Sequence, residues 1–238
     1  DDTGWATRDR EEVRAIKQIA PKKLKEKNLG VNESKTEEYE VKWKGDDEWK
    51  TAKYLGSLLE TEQDIKRRKS LALATFRNLS YIFENNKVSL QTKLKLLRSH
   101  VESILLYNSE IWTMTVKLEQ EIDIFQRNLV RKILNIRWPD TISNAKLYEK
   151  TKVMKWSKKI KERRLKWYGH LLRLPENTPA KQALREAELP MPKVRGGQKL
   201  TWLRVIDRDL KAVKGLKFMK IEGDGSRREL SIEEIAND

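Results

Sequence analysis

The sequence predicts a mainly α fold with a small α+β part at its N-terminal end. Three observations carry this reading. From residue 62 onward, apolar residues recur at spacings of three and four, the period of a helix face. Tyr39, Val41 and Trp43 alternate with charged residues, the period of a half-buried strand. Gly45, Asp46 and Asp47 then supply turn chemistry, so a β-hairpin is expected, returning over residues 49–55. These changes of period divide the chain into a hairpin-bearing segment (1–61), a helical unit (62–138) and a basic helical region (139–238).

Within residues 9–28, Val13, Ile16, Ile19 and Ala20 recur among charges and predict a helix that Pro21 bends or ends. In the central unit, Ile65, Ala72, Phe76, Leu79 and Phe83 share one face of a helix capped by Thr61, and "ENNK" breaks it. Leu90, Leu94, Leu97, Val101 and Leu105 define the next helix, with Ser89 as N-cap. Leu118, Ile122, Phe125, Leu129 and Ile136 define another, stopped at Pro139. Helices joined by short breaks predict an antiparallel arrangement. Residues 142–150 read as a further short helix.

Residues 152–174 hold nine Lys and Arg against one acid, Glu162. On a helical wheel, Val153, Trp156, Ile160, Trp167 and Leu171 form an apolar stripe. Lys155, Lys158, Lys159, Lys166 and Arg173 lie opposite. Residues 175–198 read as an irregular Pro/Gly loop, with "MPKVRGGQK" as its basic part. Trp202, Val205, Ile206 and Leu210 resume a helix over 200–213. "GDGSRRELSIEEIAND" reads as a turn and the start of another.

The net charge of +15 is unevenly placed. Residues 1–64 carry 13 Lys and Arg against 16 Asp and Glu; residues 65–138 carry 14 against 6, and residues 139–238 carry 24 against 14. A basic body behind a slightly acidic head suits a polyanionic partner. A solvated lysine-rich surface, or an apolar helix face docked on a protein or membrane surface, fits the same pattern. No apolar run is long enough to span a bilayer, so no membrane partner is expected. With no cysteine there are no disulfides, thiolate metal ligands or thiol nucleophiles, and two histidines make a structural zinc site a poor fit. Phosphate-binding glycine loops and a G-x-S-x-G elbow are absent from the sequence. His170, in "WYGHLL", has aromatic and aliphatic neighbours and reads as structural.

The order of short motifs resembles the C-terminal half of a reverse transcriptase from non-LTR (LINE-type) retrotransposons. In that family a Tyr/Phe-Ala-Asp-Asp turn is followed by a helix, a "GL-x-x-N-x-x-K-T" segment, a hairpin with "YLG", a helical thumb and a basic region. Asp1 and Asp2 match the two aspartates. "LGVNESKTE" matches through Gly30, Asn32, Lys35 and Thr36, and "KYLGSLL" through Tyr54, Leu55 and Gly56. "DIKRRKSLALATFRNLSYIFENNKVSLQTKLKLLRSHVESILLYNSEIWTM" is similar to the family thumb, and "RRLKWYGHLLRLPENTPAKQAL" with "RGGQKLTWLRVIDRDLK" to its C-terminal region.

The resemblance implies a palm remnant over 1–61, a thumb over 62–138 and the family's basic region beyond. It implies RNA-directed DNA synthesis by the parent enzyme, with Asp1 and Asp2 as catalytic carboxylates on Mg2+. Lys35 would lie near the incoming nucleotide, and Tyr54 and Gly56 in the hairpin that supports the primer end. Lys66, Arg67, Lys93 and Arg98 would contact the template–primer backbone, with Lys155, Lys158, Lys159 and Lys166 on the basic helix as further candidates. The partners implied are an RNA template and a DNA primer, in the nucleus or cytoplasm.

The family's first catalytic aspartate lies on an earlier strand, before the position that Asp1 matches. The expectation is therefore a fragment at both ends that does not polymerise alone and binds no metal. The alternatives are a non-enzymatic nucleic-acid-binding helical module and a genomic relic without activity.

Overall fold

The computed structural model describes residues 4, 7, 9–40, 48–189, 200–214, 219–221 and 227–229. Helix dominates them, and two-stranded antiparallel sheets supply the remaining regular structure. The chain divides into two units, Asp1–Asp64 and Ile65–Asp238.

In the first unit, α1 (Arg10–Lys25) starts where Asp9 Oδ1 accepts a hydrogen bond from Glu11 N at 2.8 Å. Pro21 lies inside α1 and does not end it; its effect is the loss of one N–H donor. The end comes at Asn28, in the left-handed region at φ 57°, where Leu29 N donates to Leu24 O and Asn28 N to Lys25 O. α1 has no buried residue, and its ion pairs with Glu38 (Lys17) and Glu40 (Arg10) are exposed and contribute little.

The hairpin differs from the expected one. Residues 36–40 are not a strand: Tyr39 is exposed, and its hydroxyl donates to Glu37 Oε2 at 2.7 Å. Residues 41–47 lie outside the described residues. The return segment begins as a 3-10 turn (Glu48–Thr51), and β1 (Lys53–Tyr54) pairs forward with β2 (Ser57–Leu58). Leu55 and Gly56 close this hairpin at φ 46° and 78°, as a two-residue turn of the I′ kind requires. The buried Asp64 carboxylate accepts from Leu58 N at 3.1 Å.

α2 (Thr61–Asn78) leads into the second unit. Glu60, rather than Thr61, caps it: its carboxylate accepts from Glu62 N and Gln63 N at 3.1 and 2.6 Å. Leu79 interrupts the pattern before α3 (Ser80–Phe83), and Phe76 and Phe83 stack with ring centres 4.6 Å apart. α4 (Leu90–Leu96) starts on the Ser89 cap, which accepts from Thr92 N. A π-helical turn over Leu97–Glu102 then leads into α5 (Ser103–Leu105). In this wide stretch the Ser99 and Ser103 hydroxyls donate to carbonyls of the preceding turn, Lys95 O and Ser99 O.

α6 (Val116–Ile133) is capped by Thr115, α7 (Asn144–Thr151) by Ser143. α8 spans Trp156–Arg173, and α10 spans Trp202–Lys214. Between them the expected irregular stretch contains α9 (Pro179–Glu188), whose proline occupies the first helical turn, where no N–H is needed. The buried Lys181 donates from α9 to Leu172 O at 2.7 Å, tying α9 back to the end of α8. "MPKVRGGQK" lies outside the described residues. Near the C-terminal end, Arg227–Glu229 (β4) pairs with Met219–Ile221 (β3), where a turn leading into a helix was expected; residues 230–238 are outside the described set.

Residues on both sides of position 138 share one core. Ile65, Phe83, Leu97, Leu105, Trp112, Ile122 and Leu129 pack in the same cluster as Leu147, Trp156, Ile160 and Val205.

Candidate nucleic-acid interface

The basic helix α8 is positioned by the apolar and polar chemistry of its neighbours. Lys155, at its N-cap, makes no side-chain cap. α6 supplies the cap instead: Asp123 accepts from Ser157 N at 3.0 Å and from Ser157 Oγ at 2.8 Å. Gln126 accepts from Trp156 N and donates to Met154 O. A carboxylate at a helix N-terminus also offsets the positive end of the helix dipole.

The buried face of α8 is Trp156, Ile160, Arg164, Gly169 and Leu171. Trp167 was expected on this stripe and is 36% exposed; its ring stacks near that of the exposed His170, at 5.2 Å. Arg164 occupies the core-facing position instead and is 0% exposed. Its Nε and one terminal nitrogen both donate to Asp209 Oδ2 on α10, at 2.8 and 2.6 Å, and its other terminal nitrogen to Trp112 O at 3.1 Å.

Four of the nine cations in this stretch are engaged by partners elsewhere in the second unit. Besides Arg164, Lys159 pairs with Glu102 at 2.5 Å, Lys161 with Glu119 at 3.3 Å, and Arg163 donates to Leu106 O. Glu102 also accepts from Trp156 Nε1 at 2.7 Å, so Lys159 closes a three-residue network. Lys159 was expected on the open basic face; it is taken up by that network. The remaining cations, Lys152, Lys155, Lys158, Lys166 and Arg173, are exposed and have no acidic partner among the described residues. Lys155 lies over the Tyr148 ring at 5.8 Å. At about 100° per residue, Lys155, Lys166 and Arg173 fall within a narrow sector, Lys158 stands to one side, and Glu162 is the acid among them.

The other expected residues are dispersed. Asp1 and Asp2 lie outside the described residues. In the first unit, Lys35 is exposed at the end of a 3-10 turn, Tyr54 is 44% exposed, and Gly56 is a turn residue. A Cβ at Gly4 would sit 2.6 Å from the Tyr54 ring, so this glycine is what lets the chain pass close to the tyrosine. In the second unit, Lys66 and Arg98 are exposed and Arg67 is half-buried. Lys93, another of the expected backbone contacts, is 7% exposed.

The expected Mg2+ ligands, Asp1 and Asp2, are among the residues not described. Among the described residues no group of three His, Cys, Asp or Glu could hold a metal ion. No helix there is long and apolar enough to cross a membrane.

Two features of this surface carried no clear sequence signal. The engagement of Lys159, Lys161, Arg163 and Arg164 depends on partners far along the chain. Trp138, 90% exposed, is a large aromatic ring presented to solvent beside Pro139, the residue read as the helix stop. Comparison with protein-family models, curated proteins and solved structures found no match.

Proposed function

We propose that this chain is the C-terminal part of a non-LTR retrotransposon reverse transcriptase, and that its second unit holds template–primer by the sugar–phosphate backbone. The order of sequence motifs motivates the family. The observation that carries the binding role is the outer face of α8, where Lys155, Lys158, Lys166 and Arg173 stand exposed without acidic partners among the described residues. Neighbouring cations on the same helix are consumed by Glu102, Glu119 and Asp209. Such a face supplies phosphate contacts, which give affinity and salt dependence without sequence choice.

On this reading the chain as given binds an RNA–DNA hybrid without extending a primer, since no motif within it matches the family's first catalytic aspartate. Filter binding of an RNA–DNA hybrid at two salt concentrations tests the first claim, and primer extension with Mg2+ the second. Salt-insensitive or absent binding removes the backbone role. Template-dependent extension by the 238-residue chain removes the claim of inactivity.

A further inference from the structure

The C-terminal half of α8 presents an aromatic pair that the core does not use. Trp167 lies on the stripe that Trp156, Ile160 and Leu171 bury, yet it stays 36% exposed, and His170 beside it is exposed as well. Their rings lie 5.2 Å apart, tilted by 30°. His170, read as structural from its apolar neighbours, has no hydrogen-bond or ionic partner among the described residues.

At about 100° per residue, Lys166, Trp167 and Arg173 all fall within about 60° of His170 around the helix. Lys166 and Arg173 are exposed with no acidic partner among the described residues. Arg163 falls on the same side and is turned to donate to Leu106 O. Glu162, the one acid of α8, stands about 80° from His170.

The shape and charge of this patch fit one kind of occupant. A helix lying on a membrane needs a broad apolar face. The large apolar residues of α8 that are exposed are Trp167 and Leu172, and they stand about 140° apart. A flat ring pair beside cations instead matches an unpaired base. Every base has a face that stacks on an aromatic side chain, and nearby cations take the phosphates of the same strand. The contact with His170 already orients the indole, which lowers the ordering cost of stacking.

We propose that Trp167 and His170 form a stacking platform for an unpaired base of a single-stranded nucleic acid, with Lys166 and Arg173 on its phosphates. The choice of a nucleic acid rests on the function proposed above. What is added is a single-strand contact on a helix otherwise read as holding duplex backbone.

The test titrates the full chain with an oligothymidylate, with a blunt-ended RNA–DNA hybrid and with phosphatidylserine vesicles. Trp167→Leu keeps an apolar side chain on the stripe and removes the ring, and a thermal melt verifies its fold. It should weaken the oligothymidylate about tenfold and leave the blunt hybrid unchanged. His170→Ala, at an exposed position, should weaken the oligothymidylate several-fold and decides the matter if Trp167→Leu does not fold. An oligothymidylate affinity unchanged in both ring variants, or absent in the parent chain, overturns the inference. Equal losses on oligothymidylate and hybrid overturn its single-strand part. Vesicle binding that falls in Trp167→Leu while oligothymidylate binding does not would make the patch a membrane contact and overturn the inference too. Charge reversal of Lys155 and Lys158 that weakens hybrid binding, with both ring variants at parental oligothymidylate affinity, would leave the proposed function standing and this inference alone refuted. A parent chain that binds oligothymidylate through Trp167 and binds no hybrid would refute the duplex role and leave the platform in place.

Discussion

Arg164 and Asp209 meet in the core of the second unit, the guanidinium 0% and the carboxylate 1% exposed, with two hydrogen bonds to one carboxylate oxygen. The other oxygen has no hydrogen bond and lies 3.9–4.0 Å from Arg208 and Lys161. Removing either partner strands a buried charge. Asp209→Asn or Arg164→Met should therefore each cost about 3–5 kcal/mol, read by urea denaturation. The double variant Arg164→Met with Asp209→Leu should recover part of that loss. Single variants that melt like the parent would show that the pair is not a structural joint between α8 and α10.

The outer and inner cations of α8 should separate by experiment. Neutralising Lys155, Lys158, Lys166 and Arg173 should leave stability within about 0.5 kcal/mol. It should also make the slope of log affinity against log salt shallower by roughly 3 for a duplex ligand. Lys159→Gln should do the opposite, lowering the melting temperature through the loss of Glu102 while leaving the salt slope in place. Equal effects of the two substitutions on binding would refute this division of the helix.

The turn at Leu55 and Gly56 is open to a direct check. Leu55 holds φ 46°, a region that branched or bulky side chains disfavour, so Leu55→Asn should stabilise the first unit by about 0.5–1 kcal/mol. Gly56→Ala, at φ 78°, should destabilise it by about 1 kcal/mol or more. Local hydrogen exchange at Lys53 and Leu58 reports both changes without involving the second unit.

Burial pushes the Tyr148 phenol above its ordinary value of 10.0, with a nearby arginine, Arg127, pulling the other way. Burial does the same to Tyr168. The folded state thus holds these protons more tightly than the unfolded chain does. Their contribution is fully present below pH 10 and is lost as pH rises from there through the raised folded values. Melting temperature should fall above pH 10 more steeply in the parent than in a Tyr148→Phe, Tyr168→Phe variant. Parallel pH profiles would show that the two phenols contribute nothing to the alkaline transition.

The sequence made the helices legible wherever burial repeats locally. Leu90, Leu94, Leu97 and Val101 place one face in the core, and Ser89 caps it as its side chain suggests. The limits appear where a charged residue replaces an apolar one. Arg164 lies on the same helical face as Ile160 and Leu171, but its burial depends on an aspartate 45 residues away, and spacing within one helix cannot report such a partner. Lys93 is only 7% exposed for the same reason, its surroundings coming from three separate stretches of chain. The misplaced hairpin has a different cause. Alternation over residues 37–43 resembles a half-buried strand, while the turn that forms is set by the positive-φ pair at Leu55 and Gly56.

The π-helical turn at Leu97–Glu102 acts as a phase correction written into the chain. Downstream of it Leu105, Leu106 and Ser109 face inward, and Glu102 reaches Trp156 and Lys159. Tightening that turn into an ordinary helix at unchanged length would rotate everything after it by about 100°, whereas deleting one residue as it tightens would keep the downstream phase. A one-residue deletion within Leu97–Glu102 should therefore leave the second unit folded, where the same deletion in the middle of α6, an ordinary helix, should unfold it, and thermal melts of the two variants check the contrast.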